Sequence, residues 1–432
     1  MAQNPDRDKP LHVRVLRNMS WLFVFLLIAK TLGALKEVIV AWRFGAGEIA
    51  NAYVFAMAIV LWLPMLLQSV LTSVVVPVMM RAELGERGSK ELFTREFSAF
   101  TALVGLFWTG GLLATARLGV FPDELGDFGR SMLEQLALVG ALAAIGAGFA
   151  VRLLAKERYG MHLIESVPAL VLIPFVALPA SGVDTLVLGT VTGYCVFLGV
   201  AIFYARKHRA FALPRLGFRS EYWLPIRKGL GVMIISQVVM SLTNVIDPWM
   251  TAELAGGDVA ALGYANRVVS LLVTFGGSMV ASAIFPVLSD ISAREGHGLV
   301  FKHAMLWARW SFLAGLGVAF VGWFSAPYAI AFLFERGAFR SDDTLLVSTI
   351  FQCGLLQVPA YMAGIILVQA LASTGHYRWI AIGAILNVLV KLAANTVLAS
   401  HYGAAGIALG TTIMYAISLI FLLIMSRRAF RS

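Results

Sequence analysis

Residues 19–42 read MSWLFVFLLIAKTLGALKEVIVAW, an apolar run that carries three charged side chains, Lys30, Lys36 and Glu37. About twenty mainly apolar residues are enough for a helix to cross the hydrocarbon core of a bilayer. A charge at the bilayer centre costs about 2.5–3.5 kcal/mol, so charged residues in such helices usually face a protein interior or a watery cavity. The stretch therefore predicts a membrane-spanning helix that lines a polar interior on one side.

The rest of the chain has the same apolar character. Of its 432 residues, 59% are hydrophobic and only 13% are charged. Such a composition predicts an all-α polytopic membrane protein. The sequence contains no nucleotide-binding glycine motif, and its largest loop, about 24 residues long, is too short and too basic for a catalytic domain. We therefore expect a protein that is not an enzyme and that has no cofactor or metal site.

About twelve membrane spans follow from the apolar runs. They cover residues 19–42, 51–80, 98–117, 132–154, 163–181, 184–204, 229–252, 259–288, 305–330, 345–371, 379–399 and 404–426. The second span is long and contains Pro64, which predicts a kink there because proline removes one hydrogen bond of the helix.

The distribution of basic residues orients these spans. About 24 of the 34 lysines and arginines fall in loops on one side of the predicted membrane, and only about five lie in the opposite loops. Because cytoplasmic loops carry the excess of basic residues, both termini are predicted to lie in the cytoplasm. Topology then explains the net charge of +10. We expect contact with the lipid bilayer and none with nucleic acid.

The two halves of the chain resemble each other at three places in the same order. Gly-Glu-Ile-Ala at 47–50 is matched by Gly-Asp-Val-Ala at 257–260, and Leu-Gly-Thr at 188–190 is matched at 409–411. A Pro-Val pair also closes both the second and the eighth span. We interpret these matches as an internal repeat with a period of about 210 residues.

The repeat predicts how the chain is organised. We expect two pseudo-symmetric six-helix lobes, an N-lobe at 1–204 and a C-lobe at 229–432. A basic amphipathic cytoplasmic linker at 205–228 would join them. Two such lobes with a binding site between them are typical of a transporter.

Four cationic side chains lie inside predicted spans: Lys30, Lys36, Arg267 and Lys391. Few acids are present to neutralise them, so they indicate an interior that binds an anion. Arg267 can hold a phosphate through two parallel hydrogen bonds, which a lysine cannot. The alternatives are structural: a Lys–Glu pair on the first span, and an ion pair of Arg267 with Asp247.

A polar stripe is predicted on the eleventh span. Asn387, Lys391 and Asn395 follow one another at intervals of four residues and so share one face of a helix. A stripe that faced lipid would be costly, so we expect it to face the interior. There it would either contact the substrate or make hydrogen bonds between helices.

Three further residues are candidates for ion coupling or for counter-charges: Glu37, Asp247 and Asn244. Glu37 lies next to Lys36 on the first span. Asn244 and Asp247 are three residues apart and share a helix face. Asp247 is either the counter-charge of a buried cation or an ion or proton site, and the sequence favours neither.

Several stretches resemble the motifs of one family. They are Leu32-Gly33 with KEVIVA at 36–41 and RFGAG at 43–47, YANR at 264–267, FPVLS at 285–289 and ERGAF at 335–339. In this order they resemble the MurJ/MviN lipid II flippases of the multidrug/oligosaccharidyl-lipid/polysaccharide (MOP) exporter superfamily. The resemblance implies two six-helix lobes, alternating access and a central cationic cavity for a diphosphate-linked saccharide. By position, Lys30 and Lys36 replace first-span arginines of the family, and Arg267 keeps its eighth-span arginine.

The sequence also departs from the pattern of that family. Asn51 stands where an aspartate is usual, the region of Pro64 and Met65 lacks the second-span arginine, and about twelve spans are predicted where the family has fourteen. These departures favour a related flippase for a polyprenyl-diphosphate-linked saccharide of the exopolysaccharide or O-antigen type. We expect it to be a monomer, with polysaccharide synthesis enzymes as candidate partners. A lipid II flippase for peptidoglycan synthesis is the first alternative.

Two other classes of function stay open. A MATE-like cation-coupled antiporter would need a cavity dominated by acids, whereas four buried cations here face only Glu37 and Asp247. A scaffold for a polysaccharide synthase would not need buried charges, so neutralising the charges would separate it from a flippase.

Overall fold

A computed structural model describes the chain from Leu11 to Ala429, apart from short gaps. Outside the description lie residues 1–10, 83–86, 119–125, 157, 159, 179–181, 255–257, 275–276, 278–283, 285–286, 289, 293, 295 and 430–432. The described residues are almost all helical, and there is no strand among them. The predicted all-α fold is confirmed.

The helices each overlap a predicted span. They are α1 (Leu11–Phe44), α2 (Glu48–Ala82), α3 (Arg87–Leu118), α4 (Gly126–Ala155), α5 (Met161–Ile164), α6 (Val167–Ala177), α7 (Val183–Lys207), α8 (Trp223–Ala252), α9 (Val259–Val273), α10 (His297–Phe334), α11 (Ser341–Leu355), α12 (Val358–Ser373) and α13 (Tyr377–Ala429). Helices α1 and α3 begin about 8 and 11 residues before their predicted spans, and α9 ends at Val273, before the predicted end of the eighth span. In the described part, seven helical stretches have the length and hydropathy needed to cross a membrane. A multi-pass membrane protein is therefore confirmed. The motif at 285–289 lies largely outside the described residues.

Two predicted spans are each broken into two helices. The fifth span consists of α5 and α6, and the tenth consists of α11 and α12. Each second helix has a proline in its first turn, Pro168 in α6 and Pro359 in α12. Proline has no N–H to donate and disfavours the helical conformation in the residue before it, so it favours a break at these points. By contrast, α2 continues as one helix through Pro64 and Pro77.

Predicted spans eleven and twelve form one long helical run, α13. A straight helix of its 53 residues would be about 80 Å long, far more than the roughly 30 Å of a bilayer core. Gly403 interrupts the run with φ 56° and ψ −138°. Only glycine adopts such a conformation without strain. Gly403 therefore divides α13 into two segments, which correspond to predicted spans eleven and twelve.

The chain divides into two compact units. Unit 1 contains residues 1–39, 63–114 and 135–233, and unit 2 contains residues 40–62, 115–134 and 234–432. The end of α1 and the start of α2 thus belong to the same unit as most of the second half of the sequence. The lobe boundaries at 204 and 229 stay a prediction.

In unit 1, the linker at 205–228 is held against α3. The carboxylate of Glu96 accepts hydrogen bonds from the backbone N–H groups of Arg219 and Ser220 at 2.9 and 3.1 Å. It also accepts one from Nε1 of Trp223 at 2.8 Å. Trp223 packs edge-on against Phe93, with ring centroids 5.3 Å apart. A segment that the sequence presents as a surface linker therefore has a buried anchor.

Candidate functional site

A buried ion pair joins α8 to α13 in unit 2. Nζ of Lys391 lies 2.8 Å from Oδ2 of Asp247, and the two side chains are 4% and 12% exposed. The other carboxylate oxygen, Oδ1, accepts a hydrogen bond of 2.9 Å from Nδ2 of Asn395. Burying each charge costs several kcal/mol, and close pairing with further hydrogen bonds offsets that cost. Lys391 thus neutralises the buried carboxylate, and Asn395 satisfies its second oxygen.

The two arms of α13 meet at this ion pair. Lys391 lies before the break at Gly403, and its Nζ donates a hydrogen bond of 2.8 Å to Oγ1 of Thr411, which lies after it. Gly410 makes room for the contact, because a Cβ atom there would lie 2.1 Å from Oδ1 of Asn395. Close helix approach at this point therefore requires glycine.

A cavity of about 350 Å³ lies beside the ion pair, also within unit 2. Its lining includes Thr243, Tyr361, Asn387, Tyr415 and Ser418. The rings of Tyr361 and Tyr415 are 5.3 Å apart and perpendicular. Oδ1 of Asn387 is buried and has no hydrogen-bond partner in the described part of the chain. The lining of the cavity therefore combines two aromatic rings with an asparagine side chain.

The polar stripe of the eleventh span divides between these two features. Lys391 and Asn395 contact Asp247, whereas Asn387 lines the cavity. Side chains of α13 contact both carboxylate oxygens of Asp247, one of them through the ion pair with Lys391. Asn244, which shares its helix with Asp247, is exposed.

The first-span candidates lie on α1 in unit 1. Nζ of Lys36 is 2.9 Å from Oε1 of Glu37, with the side chains 17% and 11% exposed. Lys30, six residues earlier, is half-buried. Lys36 thus forms the Lys–Glu pair of the structural alternative, and Lys30 is a second cation on the same helix.

Arg267 lies on α9 in unit 2 and is half-buried. It follows Tyr264 by three residues, so the two lie near each other on the helix surface. Tyr264 is completely buried, and its ring is 5.4 Å from that of Phe334. The backbone that carries Arg267 is therefore held by a packed aromatic side chain one turn away.

The sequence motifs at the end of α1, on α9 and after α10 meet in unit 2. The hydroxyl of Tyr264 donates to the backbone oxygen of Gly45 at 3.0 Å. The N–H of Ala338 donates to the oxygen of Trp42 at 2.8 Å. We call these four residues the motif cluster. Gly337, beside it, has φ +65°, and a Cβ there would lie 2.3 Å from the oxygen of Trp42.

Asn51 makes a further contact between the first and second halves of the sequence. Its Oδ1 accepts a hydrogen bond of 2.7 Å from the N–H of Ala260, in the first turn of α9. Its Nδ2 donates to the oxygen of Ala46 at 3.4 Å. The first N–H groups of a helix need an acceptor from outside the helix, and an Asn or Asp side chain serves equally well. Replacing the usual aspartate by Asn51 therefore retains this acceptor.

Sequence reasoning missed some of these residues. The internal repeat at 409–411 predicts no contact for Thr411, although this residue binds Lys391, and Tyr415 of the cavity is not among the predicted site residues. Tyr361 could not be predicted as a cavity residue, because its position in an apolar run is equally typical of an aromatic residue in the core. In the described part, no group of three or more His, Cys, Asp or Glu could hold a metal ion.

Comparison with solved structures shows that the chain shares its fold with proteins of known structure. One similar structure is a lipid II flippase MurJ in an inward closed conformation, with a TM-score of 0.81 and 19% identity over 94% of this chain and 87% of that one. Another is an inward-facing multidrug resistance MATE family transporter of the MOP superfamily, with a TM-score of 0.76 and 16% identity over 95% of this chain and 98% of that one.

The family is narrower than the fold. The family model described as "Lipid II flippase MurJ" matches residues 40–432, so the chain belongs to the MurJ family. A probable lipid II flippase MurJ of Vibrio cholerae serotype O1 is 23% identical over 92% of this chain and 80% of its own length. That of Buchnera aphidicola is 20% identical over 97% of this chain and 84% of its own length. Members of this family are transporters rather than enzymes.

These comparisons overturn the expected cargo. The prediction of an exopolysaccharide or O-antigen-type unit is wrong, because the match to the lipid II flippase family extends over nearly the whole chain. One cause of the error is Asn51. Its difference from the usual aspartate was interpreted as a change in cargo binding. In the structure Asn51 supports the start of α9. The missing arginine near Pro64 removes one phosphate-binding group without changing the kind of ligand that the remaining cations attract.

Proposed function

We propose that this protein is a flippase that moves lipid II across the bacterial cytoplasmic membrane for peptidoglycan synthesis. The observation that carries the proposal is the family match over residues 40–432. The cargo would be a saccharide joined through a diphosphate to a polyprenyl chain. The headgroup would cross through the protein by alternating access while the lipid chain stays in the bilayer.

Fixed cations would replace the water that the diphosphate loses in crossing. Half-buried Lys30 in unit 1 and half-buried Arg267 in unit 2 are the candidates that we assign to the phosphates. Arg267 suits this task best, since its planar guanidinium can bind two phosphate oxygens at once. Lys36, paired with Glu37 at 2.9 Å, would contribute a weaker field because its charge is partly neutralised.

Lys391 has a different role in this proposal. Its ammonium group already binds Asp247 and Thr411, so we assign it to holding α8 against α13. Asn387, whose Oδ1 is buried without a partner at the cavity, stays a candidate for contact with a ligand hydroxyl or amide. Of the polar stripe, only Asn387 is thus expected to contact cargo.

Rescue of cells depleted of their own lipid II flippase tests the proposed cargo. We expect this protein, at ordinary expression, to restore growth and to restore access of lipid II to a probe on the outer side of the membrane. Membranes that contain the folded protein but show no exposure of lipid II and no rescue would refute the proposal.

Arg267→Ala is expected to abolish that rescue while the protein still accumulates in the membrane. Hydrogen bonds to charged groups contribute about 1.5–3 kcal/mol each, which is roughly a ten- to hundredfold change in binding. Arg267→Lys should retain partial function, because a lysine keeps the charge but loses the two-point contact. Growth after depletion and the amount of protein in membranes are the measurements.

Arg294→Ala is the matched control for this prediction. Arg294 is also a helical arginine of the second half, but its side chain is 75% exposed and pairs with Asp290 on the surface. Exposed pairs of this kind contribute about 0–1 kcal/mol, so rescue should be unchanged. Full rescue by Arg267→Ala would remove Arg267 from the proposed phosphate site.

The orientation of the chain is a further prediction. The basic loops place both termini and the linker at 205–228 in the cytoplasm. A reporter that is active only in the periplasm should therefore be silent when fused after Ser432 or inserted near Ala212. The same reporter placed after Arg340, in an oppositely directed loop, should be active. Activity at either of the first two sites would contradict the predicted orientation.

A further inference from the structure

A small basic pocket lies in unit 1, where α3 begins and where α4 and α7 end. It has a volume of about 40 Å³, and four of its lining residues are Lys90, Arg152, Lys156 and Arg209. The other lining residues that the structure describes are neutral, so none of the described lining residues is an acid. A water molecule needs about 10–15 Å³ by this measure, so the pocket holds about three water-sized groups. A single phosphate group is of this size.

Arg152 forms the base of this pocket and is only 3% exposed. Its Nε donates to the oxygen of Gly148 at 3.0 Å, and its Nη1 donates to Oγ of Ser98 at 2.8 Å. The guanidinium also lies 4.3 Å from the centre of the Phe149 ring. All three partners are neutral, and a guanidinium has five N–H groups to donate. A buried charge held only by neutral partners is costly, and an anion in the pocket would offset that cost.

Arg209 has a backbone conformation that does not suit an arginine. Its φ is +52°, the one positive φ outside glycine in the described part of the chain. It follows the end of α7, where helices commonly place a glycine, because other residues pay about 1–2 kcal/mol for left-handed geometry. The position therefore favours glycine for folding, yet it carries a long cationic side chain in the lining of the pocket. Strained residues of this kind cluster at binding sites.

The surrounding charges reinforce a positive field at this place. Nζ of Lys156 is fixed by the backbone oxygens of His208 and Arg209 at 3.2 and 2.7 Å. Burial lowers the pKa of His208, and the positive charges of Arg158, Lys207 and Lys156 lower it further. A site that disfavours one more positive charge attracts a negative one.

We propose that this pocket binds a phosphate group, carried either by the headgroup of an anionic phospholipid or by free phosphate. Guanidinium and ammonium groups bind phosphate oxygens through short, charge-assisted hydrogen bonds. Basic pockets between membrane helices bind anionic headgroups in the same way. The ligand would hold α3, α4 and the start of the linker together, at residues that the proposed transport step does not use.

Arg209→Gly is the variant that tests this site. It removes the cationic side chain and at the same time relieves the backbone strain, so the protein should fold at least as well as the wild type. Lys302→Ala is the matched control, because it also removes one positive charge from an exposed side chain, on α10 of unit 2 and outside the pocket. The difference between the two variants separates a specific site from general attraction to anions.

The full-length protein would be purified and studied by native mass spectrometry and thermal unfolding. The probes are phosphatidylglycerol, phosphatidylcholine as the zwitterionic comparison, and inorganic phosphate. We expect phosphatidylglycerol or inorganic phosphate to bind and raise the Tm, with binding about tenfold weaker in Arg209→Gly and unchanged in Lys302→Ala. Binding of the lipid alone would identify a headgroup site, and binding of inorganic phosphate would identify a site for free phosphate. Equal binding by Arg209→Gly and the wild type, or no binding of either anion by the wild type, would overturn the proposal.

Discussion

Replacement of Lys391 by methionine is expected to destabilise the protein by about 3–5 kcal/mol, because removing one partner of a buried ion pair leaves the other charge uncompensated. Asp247 would keep its hydrogen bond from Asn395 but lose the ammonium group at 2.8 Å. Methionine is similar to lysine in length, so the change isolates the charge from the volume. The expected result is a large drop in Tm of the purified protein and a lower yield in membranes.

The double variant Asp247→Leu with Lys391→Met should recover most of this loss. Well-packed apolar residues often replace a buried ion pair with little cost, because neither charge is then left without a partner. Lys302→Met is the control, since Lys302 is exposed on α10 and its charge is solvated. If the double variant were as unstable as Lys391→Met alone, the ion pair would not be the source of the effect.

Replacement of Gly337 by alanine is the second change with a large expected effect. Gly337 has φ +65°. For any residue other than glycine, this left-handed backbone conformation alone costs about 1–2 kcal/mol of stability. In addition, the new Cβ would lie 2.3 Å from the backbone oxygen of Trp42, which accepts the hydrogen bond from Ala338. The motif cluster would have to open. We expect loss of rescue in depleted cells together with a clear decrease in Tm.

Gly375→Ala separates the two causes. Gly375 has φ +79°, but no atom lies within 4 Å of the position that its Cβ would take. It therefore reports the cost of the backbone conformation without the clash, and the protein should remain functional. Equal effects of Gly337→Ala and Gly375→Ala would show that contact with Trp42 does not matter.

The helical fold could be predicted from the sequence because apolar length is a local property. The breaks in two spans could not be predicted from Pro168 and Pro359 alone. Proline does not always interrupt a helix, since α2 runs through Pro64 and Pro77 without a break. Whether a proline interrupts a helix depends on what packs around it. Local sequence alone does not contain that information.

The site was predictable in part for a related reason. The spacing of Asn387, Lys391 and Asn395 predicts one face of a helix, and in the structure Lys391 and Asn395 contact Asp247 while Asn387 lines the cavity. The partner of Asp247 was left open, because its contact with Asn395 joins residues 148 positions apart in the chain. Such a pairing is decided by tertiary packing. Asn51 shows the opposite error, since a side chain that supports a helix start was interpreted as a determinant of cargo.

The cation beside Asp247 is part of the polypeptide, and this fixes the occupancy of the site. Lys391 is tethered there at a high effective concentration, so we expect it to fill the site whichever ions the medium contains. A dissolved ion stabilises a fold only by binding a vacant site, according to its concentration relative to its Kd. Exchanging sodium for potassium or choline should therefore leave the stability of this region unchanged, because the cation that pairs with Asp247 is a residue of the same polypeptide.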